Sequence, residues 1–252
     1  MTMAVPAPAP GWAFFLDVDG TLLEIAAVPD AVRMDPRVLA TLAQLIEATG
    51  GAVALVSGRS VADVERLFAP LAIPVAGQHG AERQAHRGPP LSRSPLLDAA
   101  VQRLREAERR MPGLLLEDKG ASLALHYRRR PELQEFAEEE MRRAATFLGE
   151  RFELQPGSFV YEIKPSGHDK GRAIEAFMRE RPFAGRVPVF LGDDATDEHG
   201  FDAVNRMGGH SVKVGPGPTR ARWSLPDASS ARRWLDDYTR FLTRSHALRD
   251  TP

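Results

Sequence analysis

Residues 12–23 read W-A-F-F-L-D-V-D-G-T-L-L, an apolar run that ends in two aspartates and a glycine. Trp12 to Val18 is rich in aromatic and branched side chains and breaks at Asp19-Gly20, which predicts a buried β-strand with an acidic carboxyl end. Asp17 and Asp19 stand two residues apart, so in extended backbone both side chains project to the same side. Carboxylates that close repel each other unless a hard divalent cation lies between them. Mg2+, bound by one or two carboxylates, water and a phosphate, fits the pair. Gly20 lets the chain turn sharply, after which the amide and hydroxyl of Thr21 can point at an anion.

Outward from this strand, Val38, Leu39, Leu42, Leu45 and Ile46 follow helical spacing between Asp35 and Ala48, and Gly50-Gly51 stops the helix. Ala52 to Val56 reads as a second buried strand, Ser60 to Phe68 as a helix, and Pro74 to Ala76 as a short strand. That βαβαβ order predicts a parallel sheet with helices on its faces and ligands at the carboxyl ends of its strands. From about Glu82 to Ile163 the pattern changes to a polar loop, a helix over Pro95–Arg110, the strand-like LLLEDKGASLALHYR, a helix over Pro131–Leu148, and the strands FELQ and SFVYEI. The alternation then resumes with a helix over Lys170–Arg181, a strand over Val187–Leu191, a helix over Glu198–Asn205, a strand over Ser211–Val214, and a helix from Ala228 to about Leu242. The expected architecture is α/β. A Rossmann-like parallel-sheet core (11–81 and 164–252) is interrupted by an inserted α+β cap (82–163) and preceded by a flexible tail (1–10), with crossings near Gln78–Arg83 and Ile163–Gly167.

A chain of 252 residues, 43% hydrophobic, can bury such a core. Its charged residues, 27% of the total, nearly cancel to −1, which is not the basic footprint of a nucleic-acid binder. The absence of cysteine excludes disulfides, thiolate nucleophiles and Cys-ligated metal centres, so the chemistry must come from oxygen and nitrogen groups. The opening MTMAVPAPAPG lacks the basic flank and apolar core of a signal peptide, and no apolar run is long enough to span a bilayer. A soluble cytoplasmic protein without nucleic-acid or membrane partners is expected.

Three further polar clusters fall at strand ends. Ser57-Gly58-Arg59 lies between a strand and a helix, where its hydroxyl and amides can grip a phosphate oxygen or simply cap the helix. In GHDKGRAI, Lys170 stands in the first turn of a helix, against the dipole, which makes sense if a carboxylate or phosphate is within reach. FLGDDATDEHGF crowds Asp193, Asp194, Asp197 and Glu198 where a buried strand passes into a helix, more carboxylates than capping needs. In a parallel sheet these ends share one crevice, so this cluster can close on the same cation as Asp17 and Asp19.

In order, DVDGTLL, SGR, DKG and GDDATDE resemble the four signature motifs of the haloacid dehalogenase phosphohydrolases. The resemblance implies that Asp17 attacks phosphorus to form an aspartyl-phosphate, and that Asp19 protonates the leaving alkoxide and then activates the hydrolytic water. It implies Mg2+ held by the Asp17 carboxylate, the Asp19 carbonyl oxygen and Asp193, with Asp194 or Asp197 binding through water or orienting Lys170. Ser57 and Lys170 would bind the phosphoryl oxygens, with Thr21, Gly58 and Arg59 around them. The strings DGTLLEIAAVPDAV, GQHGAER, EDKGASLALHYR and YEIKPSGHDKGRA are similar to those of trehalose-6-phosphate phosphatases, which keep an α/β cap between the second and third motifs. That likeness implies a sugar phosphate substrate cleaved to trehalose and phosphate, with Glu117 and Lys119 gripping the distal sugar and His79, Arg128 and Glu162 as further lining. A monomer is expected, with a trehalose-6-phosphate synthase as functional partner. Val18 departs from the tyrosine often found there. Competing readings are a phosphatase for sucrose phosphate or mannosylglycerate phosphate, a phosphosugar mutase, and a non-catalytic regulatory domain; the presence of Asp17, Asp19, Lys170 and Asp193 argues against the last.

Overall fold

The computed structural model describes residues 5–24, 34–83 and 95–247. The chain divides into two compact units, residues up to 85 with those from 169 onward, and residues 86–168.

The larger unit is built on a seven-stranded sheet. Its strands are β1 (Trp12–Leu16), β2 (Val53–Val56), β3 (Val75–Gly77), β4 (Glu82–Arg83), β9 (Val187–Gly192), β10 (His210–Val214) and β11 (Trp223–Leu225), in the spatial order β11-β10-β9-β1-β2-β3-β4. All neighbours are parallel except β3 and β4. The first strand is therefore central, and chain order reverses beside it, which opens a crevice at its carboxyl end. β1 is buried on both faces. Trp12, Phe14 and Leu16 pack with Val38, Leu42 and Leu45 of α1 (Pro36–Ala48), Val64 and Phe68 of α2 (Val61–Phe68), and Trp234, Leu235 and Tyr238 of α7 (Ala228–Ala247). Ala13 and Phe15 meet Ile174 and Phe177 of α5 (Lys170–Phe177) and Phe201 and Val204 of α6 (Glu198–Arg206) on the other face. Each such large side chain contributes about 1.5–3 kcal/mol by leaving water.

Local signals set the helix ends. Asp35 caps α1 by accepting from the Arg37 amide (2.9 Å), and Ser60 caps α2 by accepting from the Asp63 amide (3.1 Å). α5 stops at Phe177 rather than Arg181, where Arg179 N to Ala176 O and Glu180 N to Phe177 O tighten the last turn. The tail expected to be flexible is anchored over part of its length. Val5 and Ala9 pack against the core and the Ala9 carbonyl accepts from the Tyr238 hydroxyl at 2.9 Å, at little entropic cost for alanine and proline side chains. Residues 1–4 lie outside the described residues.

In the smaller unit, β5 (Leu115–Asp118), β6 (Leu123–His126), β8 (Val160–Pro165) and β7 (Phe152–Gly157) form an antiparallel sheet in that spatial order. One face carries α3 (Pro95–Arg110) and α4 (Gln134–Leu148), with Leu97, Leu104, Met141 and Leu148 against Leu123, Leu125 and Ile163. The register aligns Glu117, Ala124, Glu162 and Gln155 in a row across the strands, on the face turned away from those helices. The unit boundaries fall later than the pattern change suggests. Glu82–Arg83 pairs with β3 in the larger sheet, and β8 continues past Ile163 to Pro165. Among the described residues no helix is long and apolar enough to cross a membrane.

Candidate active site

β1 delivers Asp17 to the crevice, its amide bonded to the Leu191 carbonyl of neighbouring β9 at 3.0 Å. The chain then closes on itself: the Gly20 amide bonds Leu23 O (2.7 Å), and the Leu22 and Leu23 amides both bond Val18 O. Gly20 has φ +85° and a Cβ there would lie 2.0 Å from Asp193 Oδ2, so glycine serves both the turn and the close approach of a carboxylate from β9's end. Thr21, expected to point at an anion, donates its hydroxyl to Asp193 Oδ1 at 3.2 Å.

Asp17 is 4% exposed and Lys170, at the start of α5, 3%. The Lys170 Nζ donates to Asp17 Oδ1 (2.8 Å) and to Asp197 Oδ1 (2.7 Å). Asp197 folds back so that its Oδ2 accepts from the amides of Asp193 (2.9 Å) and Asp194 (3.0 Å), a fold that Gly192 permits because any Cβ there would collide with the Asp197 side chain. Asp194 caps the same turn, its Oδ1 accepting from both amide and hydroxyl of Thr196 (2.8 and 2.7 Å). Glu198 accepts from the Arg220 amide and takes no part in this group.

Burial pushes the Asp17 carboxyl well above the usual range; Lys170 pulls it back, and Asp193 and Asp194 push it further. Asp197 is lifted by burial too, with Asp17 and Asp194 adding to it against Lys170. Burial, then Asp197 and Asp194, raise Asp193 to about 6. For Asp194 burial is outweighed by Lys170 and the Thr196 bonds, which hold it below its ordinary value. Burial would strip Lys170 of its proton, but the charges of Asp17 and Asp197 keep it well above the ordinary lysine value. The Lys170 ammonium thus faces the carboxylates of Asp17, Asp193, Asp194 and Asp197. Oxygens of Asp17, Asp193 and Asp197 lie within 4.8 Å of one another. Both Asp197 oxygens already accept bonds, so Asp17 and Asp193 are the pair suited to a hard divalent ion.

The Ser57-Gly58-Arg59 segment borders the same strand ends. Ser57 is buried, its hydroxyl oxygen accepting from the Arg59 amide at 3.1 Å and its carbonyl from the His79 amide at 2.9 Å. The His79 ring lies against Gly58, where a Cβ would sit 2.9 Å from ring atoms. Gln78 and His79 hold left-handed backbone (φ 46° and 55°), a strained arrangement of the kind found at functional sites. The Arg59 guanidinium lies on Asp19 instead of standing beside Ser57 as a phosphate grip.

Two contributors escape sequence reasoning. Lys213, a buried lysine on β10, donates its ammonium to the Asp193 carbonyl. Glu82 accepts from the Val61 amide at the start of α2 (3.0 Å) and from the Gln78 side-chain amide, bracing the strained turn. The only advance sign for either is a charge set inside a short strand.

In the smaller unit, Glu117 Oε2 bonds His126 Nε2 (2.9 Å) and Lys119 Nζ bonds Glu162 Oε2 (3.2 Å), with both Lys119 and Glu162 side chains nearly buried. Burial would lift the Glu117 carboxyl; the His126 hydrogen bond and the Lys119 charge outweigh it and hold it below its ordinary value. Arg128 does not join this group. Its guanidinium donates to Ser158 O (2.9 Å) and covers the Phe159 ring (5.3 Å), because the Tyr127 amide ties the end of β6 to the β7–β8 turn.

A parallel sheet with acid-bearing strand ends, a buried Lys–Asp pair on the central strand, and a separate inserted α/β unit define a phosphohydrolase of the haloacid dehalogenase type. The family model for trehalose-phosphatase matches residues 15–229. This chain belongs to the trehalose-phosphatase family. It is 45% identical over 235 residues to the trehalose-6-phosphate phosphatase of Escherichia coli, covering 92% of this chain and 88% of that one. It is 42% identical over 227 residues to a probable trehalose-phosphate phosphatase of Sinorhizobium fredii, covering 88% and 85%. A crystal structure of a trehalose-6-phosphate phosphatase related protein, 28% identical, matches with a TM-score of 0.74 over 92% of this chain and 99% of that one.

Proposed function

We propose that this protein cleaves trehalose 6-phosphate to trehalose and inorganic phosphate through an aspartyl-phosphate on Asp17. The observation that carries the reading is the Lys170 ammonium bonded at once to Asp17 and Asp197, which opposes the effect of burial on the Asp17 carboxyl and fixes where it points. An Asp17 oxygen attacks phosphorus, the ester P–O bond breaks, and the electron pair leaves with the sugar oxygen, which takes the proton of Asp19. Asp19, now a carboxylate, then takes a proton from water as that water attacks phosphorus, and the Asp17–phosphorus bond breaks to release phosphate. Ser57 and Lys170 bind the phosphoryl oxygens. Mg2+ would be held by Asp17 and Asp193 with the Asp19 carbonyl, a donor set that suits a hard ion, and would neutralise phosphoryl charge there.

The sugar is recognised by the polar face of the smaller unit, with Glu117, Lys119 and Glu162 pairing with hydroxyls and His126 steadying Glu117. The protein works as a monomer in the cytoplasm, on the product of a trehalose-6-phosphate synthase. Phosphate release from trehalose 6-phosphate should exceed that from glucose 6-phosphate at least about tenfold in kcat/KM, the equivalent of one set of charge-assisted hydrogen bonds. Equal rates on the two esters would overturn the substrate assignment.

A further inference from the structure

Asp19 is gripped on both of its oxygens. Arg59 Nε donates to Oδ2 at 2.6 Å and Arg59 Nη2 donates to Oδ1 at 2.7 Å, two bonds from one guanidinium across forty residues of sequence. A planar fork of this kind fixes where a carboxylate points as well as how strongly it is held. The arginine is the better anchored partner. Its amide is bonded to Ser57 Oγ (3.1 Å), its carbonyl accepts from the Gln78 amide (2.8 Å), and its side chain is 16% exposed against 36% for Asp19. The segments that hold it, β2's end and the strained Gln78–His79 turn, are braced by Glu82. The aspartate sits on the self-bonded turn and is the group being aimed.

We propose that Arg59 is the positioning residue for Asp19, setting the line along which Asp19 hands its proton to the departing sugar oxygen, and that it is not a grip on the substrate's phosphate. The inference rests on the general-acid role given to Asp19 above. One arm of the fork keeps the aim while the other carboxyl oxygen carries the proton. That proton passes to the ester oxygen as its bond to phosphorus breaks, and Asp19 is left as the carboxylate that the fork again holds at both oxygens.

Leaving-group dependence tests this directly. An alkoxide needs a proton to depart, whereas a p-nitrophenolate does not, and kcat/KM covers the steps up to ester cleavage. Arg59→Gln should lower kcat/KM for trehalose 6-phosphate by about 10- to 100-fold, part of the range general acids provide, while p-nitrophenyl phosphate loses less than about threefold. Arg59→Lys, which keeps the charge and most of the bulk but not the fork, should show the same selectivity with a smaller loss, and it serves if the glutamine variant folds poorly. Equal losses on both esters, or none on either, would overturn the proposal, since a phosphate grip or a purely structural arginine does not distinguish leaving groups. Asp19→Asn is measured alongside. If it too falls equally on both esters, the general-acid assignment itself fails; if it is selective and Arg59→Gln is not, only the positioning role fails.

Discussion

Replacing Lys170 by methionine removes the cation that bonds both Asp17 and Asp197 without changing the bulk much, and the structure sets the size of the effect. All three partners are nearly or fully buried, and both contacts are under 3 Å. Breaking a buried pair from one side costs about 3–5 kcal/mol because the remaining charge is stranded. A stranded carboxylate can escape by taking a proton, which costs about 1.4 kcal/mol for each pH unit above its ordinary value of 3.8. Neutralising one aspartate therefore costs about 5 kcal/mol near pH 7.5 and about 2 kcal/mol near pH 5.5. The sign follows from linkage. Without the ammonium the folded variant holds a carboxyl proton to higher pH than the wild type does, so its deficit is largest at high pH and shrinks as pH falls. Urea unfolding in EDTA, followed by tryptophan fluorescence, measures it, because Trp12, Trp223 and Trp234 all lie in the larger unit and report on it alone. A deficit that stayed constant from about pH 5.5 to 7.5, or grew on acidification, would refute the charge pairing of Lys170 with Asp17 and Asp197.

Asp17→Asn should abolish turnover while leaving urea stability within about 1 kcal/mol or better, since it relieves repulsion from Asp193 and Asp194; retained turnover above about 1% would remove Asp17 as the nucleophile. Asp193, raised to about 6, contributes stability that is present below its ordinary value of 3.8 and lost as pH rises to about 6. Mg2+ competes with that proton, so the rise in Tm on adding Mg2+ should grow between about pH 4 and 6 and level off above, and thermal scans showing a pH-independent rise would contradict the Mg2+ assignment. Lys119→Ala should raise KM for trehalose 6-phosphate about tenfold with kcat little changed, because it removes binding rather than phosphoryl chemistry; steady-state kinetics with an unchanged KM would return Lys119 to an ordinary partner of Glu162.

The core was legible in the sequence wherever an apolar run ended in charge. Trp12 to Asp19 announced both the central strand and the acids at its end, and capped, periodic helices such as Pro36–Ala48 and Val61–Phe68 followed from spacing and from Asp35 and Ser60. The two-residue β4 and three-residue β11 were not legible, being too short to carry a period. Partners distant in sequence were also hidden. Nothing near Lys213 signals that β10 lies beside β9 and brings its ammonium to the Asp193 carbonyl. Thr21 and Arg59 look free to meet an anion until the turn at Gly20 brings the first onto Asp193 and the fork ties the second to Asp19. Arg128 follows EDK and HY in the string that resembles sugar-gripping caps, yet the end of β6 turns it toward Ser158.

The central position of β1 has a consequence for synthesis. Its partner β9 begins about 170 residues after it in the chain, so at about 5–20 residues per second a nascent β1 waits roughly 10–30 s for that neighbour. Through that interval one edge of an aromatic strand stands open, and Asp17 has neither Lys170 nor Leu191 O beside it. Residues 86–168, whose sheet and helices are complete in themselves, can fold on the ribosome meanwhile. The newborn chain therefore depends on chaperone shelter most during the span when its first strand exists and its ninth does not, and slowing translation between them should lower soluble yield.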